Sequence, residues 1–409
     1  MRPRYRWVVL AAGTFSQASF SCTTIGLPAL SVALRAHYGL TLSETGVVLA
    51  GTGIGMLFTL LPWGLLADRL DERWVIAAGL TGAAASLFAT AETGSFGGLV
   101  AGLVAVGALG ASVNAASGRA IMGWFPRSEL GLALGIRQTA IPIGGAVGAA
   151  LLTVLASAGG TRLAFMVLGA ACACGALVAA AFMRGAPAHE APADTPVRSR
   201  GPLRERPLWL LAGGTGLYLT AQIGLTTFVV LFLHDDRHVS KGAAGTVLVA
   251  INVLAIGARI GAGFLSDRLG TRLRPLRAIG LLVAAGSAAI AVLTQGPLPL
   301  LVLLFLATGM LSMSWNGLSF AAAAETAGAG RTGAALGFQQ TILGLVVAAF
   351  PPLFAVVADS SWRLAFVVAA AGPLLGTALL RLVPDARSPR PARRPGRSAT
   401  PRAARRTPD

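Results

Sequence analysis

The chain is a succession of apolar stretches, each long enough to cross a bilayer. They run near residues 7–33, 43–66, 74–91, 97–122, 132–157 and 162–183. A polar gap follows, and six more run near 208–233, 242–266, 276–295, 298–323, 333–357 and 363–383. A hydrocarbon core about 30 Å thick takes roughly 20 residues of helix, whereas a barrel strand needs only about 10. In lipid, backbone polar groups must be paired within their own segment. The pattern therefore predicts an all-α membrane protein with twelve transmembrane helices. Charge agrees: Asp, Glu, Lys and Arg are 12% of the 409 residues, against about 25% in soluble domains. The opening stretch, "MRPRYRWVVLAAG", imitates a signal peptide. Its apolar part runs too long and lacks a small-x-small cleavage site, so it predicts a first span that is retained.

Basic residues sort the loops. Formal net charge is +17, nearly all of it arginine, with Lys241 the single lysine. Arg2, Arg4 and Arg6, the 2–3 loop (Arg69, Arg73), the central gap (Arg184, Arg198, Arg200, Arg204, Arg206) and the 8–9 loop (Arg268, Arg272, Arg274, Arg277) fall on one side. So do the eight arginines after Pro384. The other side holds Arg35, Arg162, Arg237, Lys241 and Arg363. This is the positive-inside bias, and it places both termini in the cytoplasm of a plasma (inner) membrane protein. The charge reports topology, and nucleic acid is not expected as a partner. Cys22, Cys172 and Cys174 lie in apolar runs, where cysteine acts as a small hydrophobe, and no metal-ligand spacing surrounds them.

Short phrases occur twice. "GLLADRL" (64–70) returns as "GFLSDRL" (263–269), "ALGIRQT" (133–139) as "ALGFQQT" (335–341), and "RLAF" (162–165) as "RLAF" (363–366). The offsets are 199, 202 and 201 residues, each in the equivalent helix of its half. The chain reads as two copies of a six-helix unit, 1–183 and 208–383. A cytoplasmic linker (184–207) joins them, and a disordered Arg/Pro-rich tail (384–409) follows. Six spans is an even number, so the copies are parallel repeats that enclose a midplane cavity, opened to each side in turn by rocking. In each copy a small residue (Gly64, Gly263) would let a neighbouring helix approach. An acid then follows (Asp68, Asp267) that can cap a helix or pair with Arg, with Arg69, Arg73, Arg268 and Arg272 beside it. These residues read as gates that form on one side and break as the halves rock; a turn carrying topology-setting arginines is the alternative.

At these residues the chain resembles the major facilitator superfamily, over residues 1–383. The family's loop pattern is Gly-x-x-x-Asp-Arg-x-Gly-Arg-Arg/Lys. Gly64, Asp68, Arg69 and Arg73 match it in the first half, with Asp71 and Glu72 in place of Gly-Arg. Gly263, Asp267, Arg268, Gly270 and Arg272 match in the second, with Thr271 departing. Glu72 reverses a charge, which puts the strength of the first half's inner gate in question. The resemblance implies a central cavity lined by helices 1, 4, 7 and 10, with parts of 2, 5, 8 and 11, and transport by alternating access.

None of the sixteen Asp and Glu residues falls in mid-span, but Arg137 and Arg259 do. Arg259 lies eight residues before Asp267, hence about 12 Å deeper at 1.5 Å per residue. A buried guanidinium keeps its charge and fits carboxylate or phosphate, so both are candidates for substrate contact. Snorkelling or a tie to helix-end carbonyls is the other reading. The stretch "ARIGAGFLSDR" (258–268) resembles helix 8 of facilitators of monocarboxylates and related anions. Duplication sets Arg137 and Gln138 opposite Gln339 and Gln340. Asn114, Tyr218, Gln222, Trp315 and Asn316 complete the expected polar lining, each with interhelical hydrogen bonding as its alternative.

Family features of drug/proton antiporters are incomplete. Arg119 lies near the end of helix 4 and not in its middle, and "AIPIGGAVGAA" (140–150) has Pro142, Gly144 and Gly145 without a preceding Gly. The sequence predicts a secondary transporter, permease-like and monomeric, for a small organic anion or polar metabolite. Efflux of drugs or secondary metabolites, and a transport-dead sensor or scaffold, are the alternatives. Coupling to a proton or another ion is left open. No cofactor or enzymatic activity is expected: there is no Ser/His/Asp set, metal cluster or Walker-type loop, and His37, His189, His234 and His238 fall in loops.

Overall fold

The computed structural model describes residues 4–67, 69–125, 129–158, 160–185, 205–327 and 332–384. Twelve helices are long and apolar enough to span a membrane, and no strand occurs among the described residues. The spans are Tyr5–Tyr38, Leu42–Ala67, Glu72–Ala91, Phe96–Trp124, Ala133–Ala156 and Gly160–Phe182. The second set is Arg206–Thr227, Lys241–Leu269, Leu273–Val292, Leu298–Ala327, Ala335–Ser360 and Trp362–Arg381. The ninth starts three residues ahead of its apolar run. Arg274 and Arg277 sit in its first two turns, and Arg277 donates to the carbonyls of Leu380 (2.9 Å) in the twelfth and Val383 (3.0 Å) just past its end. Charged residues that satisfy helix-end carbonyls hide a helix start from hydropathy.

Three spans are interrupted. The first breaks at Ile25–Gly26, continues as a short 3-10 turn (Leu27–Leu30) and resumes as Ser31–Tyr38. The seventh breaks at Phe228, before Val229–Asp235, at the equivalent place in the second half. The tenth breaks at Met313–Trp315, between Leu298–Ser312 and Asn316–Ala327, where Trp315-Asn316 interrupts the apolar run. Pro142 sits inside a continuous fifth helix.

Packing repeats with the duplication. Spans 2 and 4, 1 and 5, and 3 and 6 pair in the first half; 8 and 10, 7 and 11, and 9 and 12 pair in the second. Between halves, span 2 packs on span 11 and span 5 on span 8, again related by a shift of six. Lipid supplies no hydrophobic force between helices, so small residues let backbones meet. A Cβ on Gly55 would lie 1.9 Å from the Val104 carbonyl, and one on Gly107 1.9 Å from that of Thr52. The second half adds an aromatic cluster, Phe228, Phe232, Phe305, Phe354, Trp362 and Phe366.

An even number of spans brings both ends of the described chain to one face, the terminal face. The halves meet toward the opposite face. Gly46 abuts Ala355 and Pro351, Gly53 abuts Val347, Gly245 abuts Thr153, and Gly145 abuts Asn252. Toward the terminal face these seams end at Leu57–Gly344 and Gln138–Arg259. Beyond them Gly64, Gly261 and Gly263 face open space. Among the described residues one ion pair crosses between halves, Arg35 with Asp235, at the far end of spans 1 and 7. Cavities of about 390 Å³ and 610 Å³ flank it. The structure is thus closed on the opposite face and open on the terminal one.

Two outcomes follow from this packing. Gly107→Leu should cost more than the ~1–3 kcal/mol of ordinary overpacking, because the new side chain meets backbone. Thermal unfolding in detergent, with Gly97→Ala as a control in open space, measures it. A partly exposed ion pair contributes about 1 kcal/mol or less. Arg35→Asp should therefore shift the population toward opening on that face by up to about five-fold, and Arg35→Asp with Asp235→Arg should reverse the shift. Cysteine accessibility at Leu42 reads both.

Candidate functional site

The polar chemistry inside the membrane starts in the fifth span. Arg137 is half-buried and donates from Nε to Ser117 Oγ (2.9 Å) and from Nη2 to the Asn114 carbonyl (3.3 Å), both in the fourth span. The second half repeats this arrangement with a neutral head. Gln339, buried in the eleventh span, donates from Nε2 to Ser319 Oγ in the tenth and to Thr215 Oγ1 in the seventh, the latter at 3.1 Å. Arg137, Ser117 and Asn114 lie 202 positions before Gln339, Ser319 and Asn316. The repeat Asn-x-x-Ser (114–117 and 316–319) carries this match. Reading longer phrases missed it, and with it Ser117 and Ser319.

Arg259 in the eighth span has a different role. Its Nε donates to the Met313 carbonyl (2.8 Å), at the end of the first segment of the broken tenth span. A cation there is favoured by the helix dipole. Its Nη1 donates to the Gln138 carbonyl (3.1 Å) across the seam between halves. Helix-end ties, one reading of this residue from sequence, are present, and every acceptor is neutral.

The expected polar residues divide. Gln222, Asn316, Gln339 and Trp315 each have a buried side-chain polar atom with no protein partner, as do Gln17 and Asn252. These lie in spans 1, 7, 8, 10 and 11. Asn114, Gln138 and Gln340 are half-buried. Tyr218 sits elsewhere: its hydroxyl meets Thr377 Oγ1 (2.8 Å) and donates to the Leu276 carbonyl (3.2 Å), and its ring is edge-on to Trp315. It therefore packs spans 7, 9 and 12 together and does not face the other half. For Tyr218 the alternative of interhelical hydrogen bonding therefore holds in this structure. All described Asp and Glu side chains lie at helix ends or in loops, and no group of three metal-ligating residues occurs among the described residues.

At the terminal face, Arg272 Nη1 meets Asp267 (2.5 Å) and its Nε meets Glu325 at the end of the tenth span (3.0 Å). Burial opposes its charge, but the two carboxylates outweigh burial and hold its pKa above the ordinary arginine value. Gly270 turns the chain at φ +62°, a left-handed conformation suited to glycine. In the first half Asp71 caps the third span through the Arg73 N–H (2.9 Å). Glu72 pairs with Arg119 of the fourth (3.2 Å). The charge reversal at Glu72 is thus met by a cation of the same half. Arg69 and Arg268 are exposed; Arg268 lies 4.3 Å over Phe264, and Arg73 lies 4.5 Å over Trp74. Asp68 falls outside the described residues. The close helix approach expected at Gly64 and Gly263 is absent here: a Cβ on either would meet nothing within 4 Å.

The model of the family described as Major Facilitator Superfamily matches residues 10–351. An MFS-type transporter of Mycobacterium tuberculosis is 31% identical over 392 residues, covering 93% of this chain and 86% of that protein. A Cupriavidus necator protein named "Probable sulfoacetate transporter SauU" is 29% identical over 163 residues, 38% of this chain and 36% of that protein. A bacterial homologue of the human lysosomal transporter Spinster, in an inward-facing and occupied conformation, superposes with TM-score 0.79. The two are 16% identical, covering 94% of this chain and 97% of that one. A D-xylose–proton symporter superposes with TM-score 0.75 at 16% identity, over 93% of this chain and 98% of the other. At such identities these structures speak for the fold alone.

Gln339→Leu should lower the stability by the worth of its interhelical bonds, about 1–2 kcal/mol, and the melting temperature with it. Gln340→Leu, on the adjacent half-buried position, should change it by less than about 0.5 kcal/mol. Differential scanning fluorimetry in detergent compares the two.

Proposed function

We propose that this chain, which belongs to the major facilitator superfamily, moves a small organic anion across its membrane by alternating access. The observation that carries the anion is the pair Arg137 and Arg259, held within spans that supply no carboxylate in mid-span. Both guanidiniums keep their charge, and leaving it unpaired in a membrane is costly. An anion arriving at the cavity removes that cost, whereas a cation adds to it. The partly matching relative named for sulfoacetate supports the same class. Gln138, Gln222, Trp315, Asn316, Gln339 and Gln340 supply hydrogen bonds to the solute's polar groups, and Asn114 holds Arg137 in place.

The open terminal face is the cytoplasmic one in this reading, because the arginine-rich loops and both termini lie there. The solute exchanges with the cytoplasm in the state described. Opening to the other side breaks Arg35–Asp235 and closes the terminal face. There the loop residues Gly64, Asp68, Arg69 and Arg73, with Gly263, Asp267, Arg268 and Arg272, form the seat. A monomer suffices, since cavity and gates come from one chain. A coupling proton has no mid-span carboxylate to occupy, so it travels on the substrate if it travels at all.

Thermal stability of the purified protein against small carboxylates, inorganic anions, sugars and lipophilic cations tests this, since a ligand of the folded state raises the melting point by mass action. Carboxylates should stabilise, and Arg137→Ala or Arg259→Ala should remove the effect. Stabilisation by lipophilic cations alone, indifferent to both substitutions, would make the efflux reading the better one.

A further inference from the structure

We infer that the cavity takes a dianion, one acidic group meeting Arg137 and the other Arg259. This rests on the small-anion reading and narrows it. A guanidinium carries five N–H donors. Arg137 uses two, on Ser117 and the Asn114 carbonyl. Arg259 also uses two, on the Met313 and Gln138 carbonyls. Three N–H groups on each are left over, and none of the four acceptors bears charge.

The two arginines sit on the spans that form one seam, Arg137 on span 5 with its head turned to span 4 and Arg259 on span 8. Arg259 Nη1 lies 3.1 Å from the carbonyl of Gln138, the residue after Arg137. This is also where the seam between spans 5 and 8 gives way to open space, at Gly135, Gly257 and Gly261. The other seam, between spans 2 and 11, has no charge along its mid-membrane length, and Gln339 stands where duplication would put a second Arg137. Both charges are therefore gathered on one side of the cavity. A monoanion leaves one of them uncompensated in a low-dielectric site, which is costly. A dianion compensates both with one ordered molecule.

The geometry also links occupancy to movement. Arg137 is anchored within the first half alone, while Arg259 belongs to the second. A dianion that touches both spans the boundary between halves and binds best in the state that sets the two heads at its own length. A ligand shifts a conformational equilibrium only by such a difference in affinity.

The experiment uses the full chain in detergent and a set of probes at equal ionic strength: acetate and propionate against malonate, succinate, glutarate and adipate. Melting-point titrations should show one dicarboxylate binding at least ten-fold more tightly than either monocarboxylate, with a clear optimum of chain length. Arg137→Ala and Arg259→Ala should each erase that ten-fold preference. Arg137→Lys and Arg259→Lys, which keep the charge if the alanine variants fail to fold, should retain part of it. Monocarboxylates binding as tightly as every dicarboxylate, or a preference that depends on only one arginine, overturns the dianion and leaves the small-anion reading standing. No response to either series overturns both.

Discussion

Everything in this chain rests on backbones coming within contact distance of one another inside hydrocarbon. Apolar side chains gain nothing by leaving lipid for a protein interior, so association depends on dispersion and a few polar ties. Glycine makes the contact possible. Gly55 and Gly107 bring spans 2 and 4 together within the first half, and Gly46, Gly53, Gly145 and Gly245 bring the halves together. The fifty-two glycines of the sequence include the joints of the machine. The same kind of contact that builds each bundle also closes one face of the molecule.

That shared chemistry explains a division of labour. Contacts within a half are bolstered by interlocking rings and by Arg277 on the carbonyls of the twelfth span. Among the described residues, contacts between halves are small-residue seams, one ion pair and one guanidinium on a carbonyl. The unequal heads Arg137 and Gln339, set on equal Ser partners, show how a duplicated frame becomes a one-sided site: the cradle is kept and its charge changes.

Much of this was legible in the sequence. Hydropathy alone located twelve helices, because a span's length is set by the bilayer and not by its neighbours. Repeated phrases revealed the doubling. The break in the tenth span falls at Trp315-Asn316, while the breaks at Gly26 and Phe228 each follow a Thr-Thr pair (23–24 and 226–227) too weakly polar to interrupt a long apolar run. What escaped shared one cause: it depended on which way a side chain leans or on which state the halves adopt. Tyr218 was counted in the polar lining, with interhelical hydrogen bonding as its alternative, and it leans between spans 9 and 12. Arg35 looked like a stray charge on the sparsely charged side until Asp235, 200 residues on, was found against it. Gly64 and Gly263 were assigned a close neighbour that this state withdraws. Arg119 looked misplaced until Glu72 gave it a partner.

The Arg35–Asp235 pair lies between two cavities and is a quarter to a third exposed. Salt therefore reaches it, while the glycine seams beside it are indifferent to salt. The Debye length falls from about 30 Å at 0.01 M to about 10 Å at 0.1 M. Dilute medium on that side strengthens the closed face, and concentrated medium loosens it. The firmness of this one closure therefore follows the ionic strength of the medium that bathes it.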